Sequence, residues 1–104
     1  MTQVRVHNAT GSELASVRVF APGVPPRPVA FGPLDAGARS DYQDVPDARR
    51  IAHIEATGPA GDLVLQPYDL VGEEPLPPGR YTYRLSVTHG RLRLDVREDP
   101  PDDG

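Results

Sequence analysis

Residues 81–96 alternate apolar and polar side chains without a break on either side of His89-Gly90, and no other stretch constrains the chain as tightly. Tyr81, Tyr83, Leu85 and Val87 interleave with Thr82, Arg84, Ser86 and Thr88, while Leu92, Leu94 and Val96 interleave with Arg91, Arg93 and Asp95. A period of two marks a β-strand with one buried face, because successive side chains point to opposite sides of a sheet. A two-residue loop needs positive φ, which Gly90 supplies freely and His89 tolerates better than most residues. Pairing Thr88 with Arg91 then predicts Val87/Leu92, Leu85/Leu94 and Tyr83/Val96 inside, with Ser86/Arg93 and Arg84/Asp95 outside. A slip of one residue would bury Arg93, so the register is specified.

Weaker alternation recurs upstream. Val4 and Val6 begin it, and Leu14 to Phe20 place Ala15, Val17 and Val19 on one face. Val29 to Leu34 form a short strand interrupted by Gly32 and Pro33, and Ala38 to Val45 read as an edge strand. Arg50 to Thr57 present Ala52, Ile54 and Ala56 to one side, and Gly58-Pro59-Ala60-Gly61 turns the chain into Leu63–Gln66. Residues 21–28 hold four prolines and read as loop, since proline cannot donate to a ladder. Residues 67–79 form the longest irregular stretch, and Leu70, Val71 and Leu76 suggest that it folds back onto a sheet. Seven or eight short strands with frequent turn signals predict an all-β fold, an antiparallel β-sandwich of immunoglobulin-like or prealbumin-like type. Leu, Ile, Val and Phe make up 24 of 104 residues, above the ~20% below which a core fails. One domain is expected over 1–97, with an acidic, proline-rich and disordered tail over 98–104.

Several classes of function fall away. With no Cys there is no disulfide framework, thiolate zinc site or cysteine nucleophile. No apolar run approaches the ~20 residues of a membrane-spanning helix. The opening Met-Thr-Gln-Val-Arg-Val reads as a strand, so a cytoplasmic location is expected, or an envelope or secreted one if the chain is a processed fragment. The net charge is −4, and all eleven basic residues are Arg, a usage that fits a GC-rich bacterial genome. Residues 1–94 carry ten Arg and ten acids, whereas 95–104 carry five acids and one Arg. A neutral body, an anionic tail and six aromatics, none interleaved with Arg84, Arg91 and Arg93, argue against a nucleic-acid partner.

Chemistry is sparse. His7, His53 and His89 fall on three different elements without metal-ligand spacing. His53 shares a face with Glu55, a pair that serves either as a hydrolase base or as a plain cross-strand contact. No serine lies in a nucleophile elbow and no glycine loop is built for phosphate. Asp69, Glu73 and Glu74 could converge on Ca²⁺, but their spacing matches no calcium loop, and the favoured reading has Asp69 capping a turn with Glu73 and Glu74 solvated. No cofactor is expected. Asn8-Ala9-Thr10 matches the N-glycosylation pattern and reads as a turn.

Two segments carry a family likeness. Phe31-Gly32-x-Leu34-x-x-Gly37-x-x-Ser40-x-Tyr42-x-x-Val45, followed by Gln66-Pro67-Tyr68-Asp69-x-Val71-Gly72-Glu73-x-Pro75-Leu76-x-x-Gly79-Arg80-Tyr81-Thr82-Tyr83, resembles a group of small bacterial envelope domains. The resemblance covers about residues 29–96 and implies a secreted or lipid-anchored β-sandwich of unassigned activity. Arg39, Tyr42, Tyr68, Asp69 and Glu73, around the 67–79 loop, are the candidate binding residues. The expected function is a non-enzymatic interaction or accessory module with an unknown protein partner. A ligand- or Ca²⁺-binding domain using the 67–79 loop is the second reading, and a small hydrolase the third.

Overall fold

The computed structural model describes residues 2–21, 25–46, 48–49, 52–66 and 75–100. Eight strands follow in order: β1 (Thr2–Asn8), β2 (Leu14–Ala21), β3 (Arg27–Leu34), β4 (Gln43–Asp44), β5 (His53–Gly58), β6 (Gly61–Leu65), β7 (Gly79–Thr88) and β8 (Arg91–Glu98). They form two four-stranded sheets, β4-β1-β7-β8 and β3-β2-β5-β6, packed face to face as a β-sandwich. Among the described residues no helix is long and apolar enough to cross a membrane.

The β7–β8 hairpin follows the register read from its alternation, from Thr88 opposite Arg91 to Tyr83 opposite Val96. His89 and Gly90 take positive φ, 53° and 75°, the twist that a two-residue hairpin requires. Val4, Val6, Tyr81, Tyr83, Leu85 and Leu92 of the first sheet meet Leu14, Val17, Val19, Phe31 and Ile54 of the second in one buried core. The Tyr81 and Tyr83 hydroxyls are satisfied there by the carbonyls of Pro77 and Arg49. Leu76 is buried and its N–H donates to Ala48 O at 2.7 Å, tying the end of the long loop to the core.

Four local readings are corrected. Ala15 faces outward, because register shifts around Leu14–Val17 bring Leu14 and Val17 both into the core and leave the residues between them outside. β3 begins at Arg27, two residues before the expected start, and runs on through Pro33. It tolerates Pro28 and Pro33 because it is an edge strand, whose free side needs no donors. Ala38–Val45 is not one continuous strand. Ser40 Oγ, rather than a backbone carbonyl, accepts the Val6 N–H at 2.9 Å, and regular pairing resumes only at Gln43–Asp44. The tail boundary at 98 lies inside the sheet, since β8 ends at Glu98 and the Asp99 N–H donates to Arg80 O at 2.9 Å.

One pair departs from the antiparallel pattern: β1 runs parallel to β7, from Thr2 opposite Gly79 to Asn8 opposite Leu85. Parallel neighbours need a long connection between them. Here the whole second sheet and β4 intervene in the chain.

Candidate functional site

The outward side chains of the first sheet follow from its registers. Arg5 of β1 stands beside Thr82 of β7, which stands beside Arg97 of β8; His7, Arg84 and Asp95 form the next row, and Ser86 with Arg93 the one after. Arg39 joins this face through its bridge to His7. Asn8/Ala38 and Val6/Ser40 keep one register and Val4/Gln43 and Gln3/Asp44 the next, so Asp41 and Tyr42 both stand opposite Arg5. That extra residue is a β-bulge, which re-aims the side chain it displaces. It lays the Tyr42 ring on the outer face instead of in the core, under the guanidinium of Arg5 at 5.0 Å and that of Arg80 at 5.2 Å.

A hydrogen-bonded knot holds this corner together. The Tyr42 and Thr82 hydroxyls each donate to Asp99 Oδ2 at 2.6 Å. Arg5 Nε donates to Thr82 Oγ1 at 2.9 Å and lies 3.6 Å from Asp99 Oδ2. Burial opposes the Asp99 charge but is outweighed by the Thr82 and Tyr42 hydroxyls and by Arg5 and Arg97, so its pKa falls below the ordinary carboxyl value. The Tyr42 pKa rises, first through burial and then through its bond to the Asp99 carboxylate.

Charge gathers on the same face. Arg5, Arg39, Arg80, Arg84, Arg91, Arg93 and Arg97 lie on it, against Asp41, Asp44, Asp95 and Asp99. The His7 pKa is lowered, first by burial and then by Arg39, Arg84 and Arg5. Arg84 pairs with Asp95 at 3.6 Å, as the hairpin register predicts. The side chains of Arg91, Arg93 and Arg97 are exposed and form no hydrogen bond or direct ion pair with another described residue, although the Arg97 charge acts on Asp99.

The outer face of the second sheet is different. Glu55 Oε1 accepts from Arg18 Nη2 across the strands at 2.8 Å. His53 Nε2 lies 3.2 Å from Glu55 Oε2 without hydrogen-bond geometry, and its ring stacks on Phe20 at 4.5 Å. Ser16 Oγ donates to Thr57 Oγ1 at 3.2 Å. The carboxylate is thus shared with a guanidinium, and the nearby hydroxyl is bonded elsewhere.

Of the residues expected at a site, the structure brings Arg39 and Tyr42 to one basic sheet face. Tyr68, Asp69 and Glu73 lie outside the described residues, as does Glu74. Among the described residues no three His, Asp or Glu side chains cluster as metal ligands. The sequence does not single out Asp99, because an acid in a run of Asp, Glu and Pro looks like solvated tail; the strand running to Glu98 is what carries the sheet toward it. No family model, curated protein or solved structure matches the chain.

Proposed function

We propose that this domain is a non-enzymatic interaction module whose basic sheet face engages an acidic protein partner. In this reading it is an immunoglobulin-like accessory domain that presents a sheet face, with its end loops serving as connections. The observation that carries the reading is the row Arg91, Arg93 and Arg97, exposed along β8, whose side chains form no direct ion pair among the described residues, Arg97 acting on Asp99 only through its charge. Guanidinium groups suit carboxylates, and two such pairs, Arg84–Asp95 and Arg5–Asp99, each at 3.6 Å, already lie on this face. Single-stranded nucleic acid would need aromatic rings on which to stack. Tyr42 is the one Phe or Tyr ring on this face among the described residues, and it already lies under two guanidinium groups. The likeness of residues 29–96 to envelope domains makes a secreted or envelope-bound partner the natural candidate.

Calorimetric titration with a poly-glutamate peptide at low and moderate salt tests this reading. Binding that weakens as salt rises, and that falls about tenfold in Arg93→Glu/Arg97→Glu but not in Arg27→Glu on β3, is expected. Equal affinity in all three proteins would sink it.

A further inference from the structure

The first sheet is open along β8. A two-residue hairpin makes Thr88 and Arg91 a hydrogen-bonded pair, and such pairs recur at every second residue of an antiparallel ladder. Arg93, Asp95 and Arg97 therefore turn their backbone groups toward β7, as the Asp99 N–H does in donating to Arg80 O. The N–H and C=O groups of Leu92, Leu94 and Val96 point the other way, where no described strand pairs with them. The other edges are poorer templates. β3 carries Pro28 and Pro33, β4 has two residues, and β6 has five. Alongside β8 runs a cleft of about 590 Å³ against β6, lined in part by Leu63, Leu65, Gln66 and Leu92.

We infer that β8 is the docking edge for an extended acidic peptide, which joins the first sheet as a fifth strand; this rests on the basic-face reading above. Main-chain bonds to Leu92, Leu94 and Val96 supply affinity, and alternate side chains supply specificity. Side chains of like face lie ~6.8 Å apart on any extended strand, so outward acids of the peptide meet Arg91, Arg93 and Arg97, and the one position between them faces Asp95, whose charge Arg84 already pairs. The alternate, inward residues face the second sheet and take apolar side chains against Leu63 and Leu65. The partner segment is thus one that alternates Asp or Glu with Val, Ile or Leu.

The experiment uses a peptide of about eight alternating Glu and Val residues, the length of one strand, with amide hydrogen exchange as the readout. Exchange at Leu92, Leu94 and Val96 should slow about tenfold on binding, because those amides gain acceptors. The same peptide N-methylated at every second residue should lose both the protection and the affinity, with the protein itself unaltered. If poly-glutamate and the alternating peptide bind alike without protecting those amides, strand addition is wrong while the basic face stands. If neither binds, both readings fall. Tighter binding of single-stranded DNA, or concentration-dependent self-association through β8, would also overturn the inference.

Discussion

Asn8 reaches across the sandwich to Leu34: its side-chain Nδ2, on β1 of the first sheet, donates to the carbonyl at the end of β3 in the second, at 3.1 Å. The same nitrogen lies 2.7 Å from Ser12 O and 3.1 Å from Asp35 O, and Oδ1 accepts from the Thr10 N–H and hydroxyl. Asn8 is fully buried. This one amide stitches two sheets and two turns together, and a nitrogen so engaged is closed to glycan attachment despite the Asn8-Ala9-Thr10 pattern. Asn8→Ala leaves buried carbonyls without donors and should cost about 3 kcal/mol in urea unfolding. A loss below half that value would show that water replaces the amide.

Asp99 makes stability depend on acid pH. Its pKa in the folded domain is below the ordinary 3.8, so the folded state holds the proton less tightly than the unfolded chain does. The stabilisation is therefore complete above about pH 4 and is lost as pH falls through the folded value. Asp99→Asn should be less stable than the parent by about 1–2 kcal/mol at pH 7, and the gap should close below pH 4. A gap independent of pH would assign the effect to packing instead of charge.

Tyr83 controls the alkaline limit. Burial raises its pKa well above the ordinary 10.0, more than the bond to the Arg49 carbonyl lowers it. The folded state then resists ionisation that the unfolded chain accepts, so stability is intact below pH 10 and declines as pH rises beyond it. Tyr83→Phe should lose about 1 kcal/mol at pH 7 through the missing hydroxyl bond, yet decline less steeply above pH 10. Parallel stability curves for the two proteins would contradict this account.

The hairpin turn offers a substitution in each direction. Gly90 sits at φ 75°, and Gly90→Ala should cost about 1 kcal/mol because a Cβ is strained there. His89 sits at φ 53°, a conformation that Asn adopts more readily, so His89→Asn should raise the thermal midpoint by a degree or so, about a few tenths of a kcal/mol. Stabilisation by Gly90→Ala would mean that the turn relaxes to another type.

The hairpin was fully legible because two signals a few residues apart, an alternation and a turn, agree on one register. The Tyr42–Asp99 contact was not legible. It joins residues 57 positions apart and depends on a parallel strand pair and a one-residue bulge, neither of which has a local signature in Ala38–Val45. The charge partition escaped for a different reason. Net charge is a sum over the chain, and ten Arg against ten acids in residues 1–94 says nothing about which sheet face each one occupies. The core was easier, since Ile54, Val17 and Tyr83 are buried by a rule that acts residue by residue.

The parallel pairing of β1 with β7 also dictates when the domain becomes itself. Arg5 and Thr82, hydrogen-bonded neighbours, stand 77 positions apart, yet β1 lies between β4 and β7 in its sheet. At a ribosome adding ~5–20 residues per second, β1 emerges and waits several seconds, its central edge open, until residues 79–85 follow. The second sheet, whose four strands all lie between β1 and β7 in the chain, has the shorter contacts and can assemble meanwhile. A strand made long before its partner but seated in the middle of its sheet leaves the nascent domain exposed until that partner follows.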